Sequence, residues 1–226
     1  MEVNIMQTRN YVVFIDSSAD LSVAQQKTFG LHCVDLEFKF RDGTVFTGNY
    51  QLDAFYKKLS PNNIPVLNKL NVDNFIFAFE NILKMDKNVL YVCSSETMYA
   101  NSLSARDCLK SVYPKREIVC HLVQSVSSEY GLIARFAGRC RQKGMSIEDT
   151  VKNVDSIKSC LTNWIALGNM DYLFANAKAL SPESAKNSFP ILKNEQGLFT
   201  TKGVSGSMEE SIELLASKVT TGLNLP

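Results

Sequence analysis

Apolar and polar positions divide this chain into short buried runs and longer amphipathic stretches. The first run, Tyr11-Val12-Val13-Phe14-Ile15, is unbroken and largely β-branched, and it closes on Asp16-Ser17-Ser18-Ala19-Asp20. That pattern predicts a buried parallel strand entering a turn and a helix. Leu31 to Phe40 alternates apolar with polar and predicts a second strand; Arg41-Asp42-Gly43-Thr44 then reads as a hairpin turn into Val45-Phe46-Thr47. Helical spacing follows at Leu52–Leu59 and at Val72–Met85, where Phe75, Phe79, Ile82 and Leu83 share one face. Val89-Leu90-Tyr91-Val92-Cys93 is a further buried strand, closing on Ser94-Ser95-Glu96-Thr97. Beyond it the pattern predicts a helix over Tyr99–Val112, a strand over Glu117–Leu122, and helices over Ser127–Lys143 and Ser146–Ser159. Gly144 stops the first of that helix pair, and Ser146 with Asp149 starts the second.

This alternation predicts an α/β fold: a parallel sheet with helices on both faces. From Leu161 the segments shorten. Pro182 and Pro190 interrupt them, a hairpin is expected around Asn194-Glu195-Gln196-Gly197, and a last helix over Met208–Val219. The expected division is an N-terminal α/β domain over residues 1–160 and a smaller, shortened α/β domain over 161–226.

Composition narrows the function classes. The 226 residues are 45% hydrophobic and 21% charged, which excludes a disordered chain. Lys+Arg 24 against Asp+Glu 23 leaves a net charge of +1, so the basic footprint of a nucleic-acid binder is missing. No apolar run approaches the roughly 20 residues of a membrane span. Residues Met1 to Asn10 show no apolar stretch or cleavage site, so a cytoplasmic protein is expected. The six cysteines form no C-x-x-C pair, which argues against zinc and for free thiols packed as small apolar groups. Neither Gly-rich phosphate loop follows a strand, no tight cluster of metal ligands occurs, and no cofactor is expected.

Ligands of open parallel sheets bind beyond the carboxyl ends of the strands. Two strand ends here carry hydroxyl pairs beside a helix start, Ser17 with Ser18 and Ser94 with Ser95. Helix N-termini favour anions, so these serines are candidate donors to a carboxylate or phosphate; the competing reading makes them helix caps and nothing more. His32 and His121 sit inside strand patterns, His121 close enough to a strand end to border a cleft. No G-x-S-x-G elbow is present. One enzymatic reading stands beside these: Asp16, at the end of the first strand, resembles the nucleophile of haloacid-dehalogenase-type phosphatases. The position two residues on, where those enzymes carry a general acid, is Ser18.

Taken in order, the segments resemble the DegV family of bacterial fatty-acid-binding proteins, which includes the acyl-carrier subunit of fatty acid kinase. Phe14-Ile15-Asp16-Ser17-Ser18-Ala19-Asp20-Leu21 is similar to the family's opening T-D-S-S-A-D-L, and Val92-Cys93-Ser94-Ser95 to its "ISS". Gln124-Ser125, Ser128 and Gly131 resemble its "DS-x-x-x-S-x-G"; Met170-Asp171-Tyr172-Leu173 and Pro190-Ile191-Leu192 are similar to further family segments. Leu67, Asn68 and Lys69 fall where the family carries T-S-Q, and Asn176-Ala177-Lys178 where it carries G-G-R. The resemblance implies two α/β domains holding a long-chain fatty acid between them, its carboxylate on hydroxyls and backbone N–H groups, with Ser95 as the contacting serine and Ser94 beside it. It further implies a binding protein without catalysis of its own, whose ligand a kinase subunit phosphorylates. Lys69 either draws the carboxylate as a point charge or is a solvated loop lysine between Pro65 and the Val72 helix. The expected ligand site is therefore Asp16, Ser17, Ser18, Asn68, Lys69, Ser94, Ser95, His121 and Ser125. A fold relative without acyl ligand, acting through protein contacts, is the alternative. A homodimer is expected to cover apolar surface left by the short second domain.

Overall fold

β1 (Tyr11–Asp16) is buried along its whole length. The computed structural model describes residues 10–48, 52–60, 62–68, 70–168, 189–195 and 198–222. Lys69, Met170–Leu173, Asn176–Lys178, Pro182 and the Gln196-Gly197 turn lie outside these residues. β1 is central in a parallel sheet with β2 (Leu31–Val34), β6 (Asn88–Cys93) and β7 (Ile118–Leu122), in the order β2-β1-β6-β7. Both faces are covered, which is why its central strands read as continuous apolar runs. On one face Tyr11, Val13, Ile15, Leu90 and Val92 pack with α5 (Ser127–Gln142) and α6 (Ile147–Ser159). Phe14 and Tyr91 instead meet Phe75 and Phe79 of α3 (Val72–Leu83), with ring centroids 5.0–6.0 Å apart.

Two elements depart from the expected pattern. The Leu31–Phe40 strand is two strands, β2 and β3 (Glu37–Lys39), which belong to different sheets. The break is at Asp35-Leu36, where Leu36 is buried and its N–H donates to Ser17 Oγ at 2.8 Å. Alternation persists across such a break, so periodicity alone misses it. α4 (Glu96–Val112) starts three residues earlier than expected, directly after Ser95, without an intervening turn.

β3, β4 (Val45–Thr47) and β5 (Val66–Asn68) form a three-stranded sheet in the order β4-β3-β5. Gly43, at φ 85°, turns the expected hairpin between β3 and β4, and its N–H donates to Phe40 O at 3.0 Å. A third sheet, antiparallel, has the order β10-β9-β8 from β8 (Trp164–Ala166), β9 (Phe189–Glu195) and β10 (Leu198–Ser205); α7 (Met208–Gly222) packs on it.

The chain divides into two compact units, Met1–Glu37 with Thr47–Gln51 and Asn68–Leu161, and Phe38–Phe46 with Leu52–Leu67 and Thr162–Pro226. Phe38 to Phe46 and Leu52 to Leu67, expected in the N-terminal domain, thus group with the C-terminal residues. They carry their own aromatic cluster, in which Phe38, Phe40 and Phe46 each meet Phe55 of α2 (Leu52–Lys58) edge-on at 5.5–5.6 Å.

Candidate functional site

The order β2-β1-β6-β7 makes β1 and β6 neighbours although the chain leaves them in opposite directions, toward β2 and toward β7. By the general rule for open parallel sheets, the ligand crevice is expected between these two strands, at the carboxyl edge of the sheet. Asp16 ends β1, Ser94 follows β6, and the two meet there: Ser94 Oγ donates to Asp16 Oδ2 at 2.9 Å. Both residues are buried.

Asp16 organises this edge. Its Oδ2 also accepts from Tyr91 at 3.0 Å and lies 3.2 Å from the Tyr130 hydroxyl. Its Oδ1 accepts from the Ser18 hydroxyl and from Ser18 N–H at 3.1 Å, which caps the 3-10 turn Ser17–Ala19. Tyr130 OH in turn accepts from Asp16 N–H at 3.1 Å and donates to Val92 O at 2.6 Å. A phenol has one proton, and the shorter bond places it on Val92 O. Burial first, and then the Asp16 charge, push both phenols well above the usual tyrosine range, so they stay protonated as donors. Burial also pushes the neighbouring Cys93 thiol up to about 12 and raises Cys33, which keeps both unreactive.

The four serines of the two strand-end pairs separate into two groups. Ser17, Ser18 and Ser94 are built into the edge: Ser17 Oγ receives Leu36 N–H, and Ser18 and Ser94 give their protons to Asp16. Ser95 differs. It is the N-cap of the 17-residue α4, yet its side chain makes no cap bond, whereas Ser22, Asn71 and Ser146 cap α1 (Val23–Phe29), α3 and α6. Ser95 is half-buried, so its hydroxyl and the first N–H groups of α4 form an anion-favouring end beside the crevice.

The remaining candidates have side-chain partners of their own. Ser125 is buried after β7 and donates to Glu129 Oε2 at 2.5 Å. Its loop is held between two residues in left-handed conformation, Gln124 at φ 52° and Ser127 at φ 53°, and Gln124 Nε2 reaches Glu96 in the first turn of α4 at 3.1 Å. His121 Nε2 is 2.8 Å from Asp155 Oδ1 on α6. Asn68 is exposed and donates to Glu37 at 2.7 Å. Both Asp16 oxygens accept hydrogen bonds from donors of the chain itself. Among the described residues no three His, Cys, Asp or Glu side chains gather as a metal site, and no helix is long and apolar enough to cross a membrane.

Sequence reasoning missed Tyr91 and Tyr130. A tyrosine inside an apolar run must find a partner for its hydroxyl, which is a visible signal. Which partner it finds depends on the strand order.

A buried carboxylate thus ties Ser18 and Ser94 together at the switch point of a parallel sheet, in an α/β fold. The DegV family model, described as uncharacterised protein, DegV family, matches residues 10–219, and the chain belongs to that family. A DegV domain-containing protein of Clostridium perfringens is 27% identical over 192 residues, covering 82% of this chain and 66% of its own length. One from Streptococcus pyogenes serotype M1 is 23% identical over 182 residues, covering 77% and 63%. This chain thus spans just under two thirds of the length of both. Among solved structures, a stearic-acid-binding protein from Eubacterium ventriosum superposes with TM-score 0.83 at 17% identity over 95% of this chain and 78% of its own. The fatty acid kinase B3 protein of Streptococcus pneumoniae, loaded with linoleic acid, has TM-score 0.77 at 17% identity over 94% and 79%. These likenesses establish the fold.

Proposed function

We infer that this chain binds a long-chain fatty acid, with the carboxylate at Ser95 and the N-terminus of α4, and performs no chemistry on it. The observation that carries the reading is the uncapped Ser95 beside the β1/β6 crevice, where every other expected strand-end serine is already committed. A carboxylate there replaces the missing cap and gains charge-assisted bonds from a hydroxyl and backbone N–H groups. Removal of the acyl chain from water supplies roughly 0.8 kcal/mol per methylene, the larger share of affinity. Support also comes from solved structures of this fold, which include proteins described with stearic and linoleic acid. Phosphorylation of the bound carboxylate belongs, on this reading, to a separate kinase subunit.

Organic extraction of the purified protein followed by mass spectrometry is expected to release a fatty acid. Ser95→Ala is expected to weaken fatty-acid binding about tenfold or more, because a bond to a charged group contributes roughly 1.5–3 kcal/mol. The melting temperature of the empty protein should hardly move, since Ser95 caps nothing. Equal affinity in both proteins would place the head group elsewhere.

A further inference from the structure

Ser94 stands next to Ser95 but cannot serve the ligand in the same way. A serine hydroxyl has one proton, and that of Ser94 is given to Asp16 Oδ2 at 2.9 Å. This bond crosses the seam between β1 and β6, at residues 78 apart in sequence, and it holds the residue directly before Ser95. The acceptor is itself fixed. Asp16 is fully buried, with Tyr91 on the same oxygen and Ser18 on the other. Ser95 is held on its carbonyl by the Cys93 thiol, which donates to Ser95 O at 3.3 Å, while its own hydroxyl makes no cap bond to α4.

We propose that Asp16 is a positioning residue for anion binding: by taking the Ser94 proton it sets the Ser94-Ser95 turn and aims the Ser95 hydroxyl and the first α4 N–H groups at a carboxylate. The proposal rests on the fatty-acid reading above. It makes Asp16 matter to the ligand's head group and not to its chain, although Asp16 itself touches no ligand. It also routes the effect of Asp16 through one hydroxyl, so Asp16 and Ser94 act as a unit. A purely architectural carboxylate would affect acid and neutral ligands alike.

The test compares palmitic acid with the neutral alcohol of the same chain length, in wild type, Asp16→Asn, Ser94→Ala and the double variant, with melting temperatures recorded for each. Wild type should favour the acid. Asp16→Asn and Ser94→Ala should each lose about tenfold in acid affinity while alcohol affinity stays within about twofold, a change a structural role would not produce. The double variant should be no weaker than either single one, because coupled residues give non-additive losses. Equal loss of both ligands, no loss of either, or additive losses in the double variant would overturn the positioning role while leaving fatty-acid binding intact. Wild-type protein that binds neither ligand would remove the fatty-acid reading itself, and the proposal with it. Should Asp16→Asn not fold, Ser94→Ala decides alone: an acid-selective loss supports the proposal, and an unchanged acid affinity overturns it.

Discussion

Hydroxyl groups at the carboxyl edge of the sheet have unequal duties, and single residues separate them. Tyr130 OH receives the Asp16 N–H at 3.1 Å and gives its proton to Val92 O at 2.6 Å, all in a fully buried setting. Tyr130→Phe leaves a buried donor and a buried acceptor without a partner, each costing about 1–3 kcal/mol. Urea denaturation of the variant is therefore expected to show a loss in that range, and a loss under about 0.5 kcal/mol, the level of surface changes, would mean the network closes without the phenol. The serine pairs were legible in sequence because strand-end hydroxyls before a helix announce themselves. Their division was not: Ser94 and Ser95 differ only in which one reaches Asp16, and that depends on β6 lying beside β1. Tyr91 looked like one more apolar residue of its strand for the same reason.

At the scale of elements, α5 lies unusually close to the rest of the first unit. A Cβ on Gly131 would stand 2.7 Å from Ala19 O, and one on Gly138 would stand 2.5 Å from Phe29 O. Two glycines seven apart lie on one helix face, so α5 seats its backbone against the Ser17–Ala19 turn and the end of α1. Gly131→Ala should push that turn, because its contact is backbone rather than a flexible side-chain end. The expected destabilisation is about 1–3 kcal/mol, read from the denaturation midpoint; an unchanged midpoint would show that the turn can yield. Helix and strand periods located α3, α5, α6, β1, β6 and β7 to within a few residues. They missed the short β5 and β8, three residues each, which hold their place by pairing and not by pattern. Gly131 was visible as a family position, but its purpose became readable only from Ala19 O.

For the whole molecule, buried titratable groups set how stability responds to pH. Tyr91, Tyr130 and the thiols of Cys33, Cys93, Cys120 and Cys140 are all raised by burial, so the folded state keeps protons that the unfolded chain releases first. Their ordinary values lie near about 8.5 for thiols and about 10 for phenols. Stability from these groups is fully present below those values and is lost as pH rises through them. The urea midpoint should fall steadily above about pH 9, with the share of tyrosinate absorbance that Tyr91 and Tyr130 contribute appearing only together with unfolding; a midpoint level to about pH 11 would contradict this. Strand order itself was beyond the sequence, since apolar runs show that β1 and β6 are central without showing that they touch. That adjacency also bears on how the molecule comes into being. The bonds meeting at Asp16 span 75, 78 and 114 residues, so they join parts of the chain synthesised far apart. Contacts of such separation form slowly, because long loops must close first. A carboxylate is costly to bury before its donors arrive, so the Asp16 edge closes only after β1, β6 and α5 have assembled. A growing chain therefore has no closed Asp16 edge until α5 has emerged, and on the fatty-acid reading proposed above its head-group site forms no earlier than that.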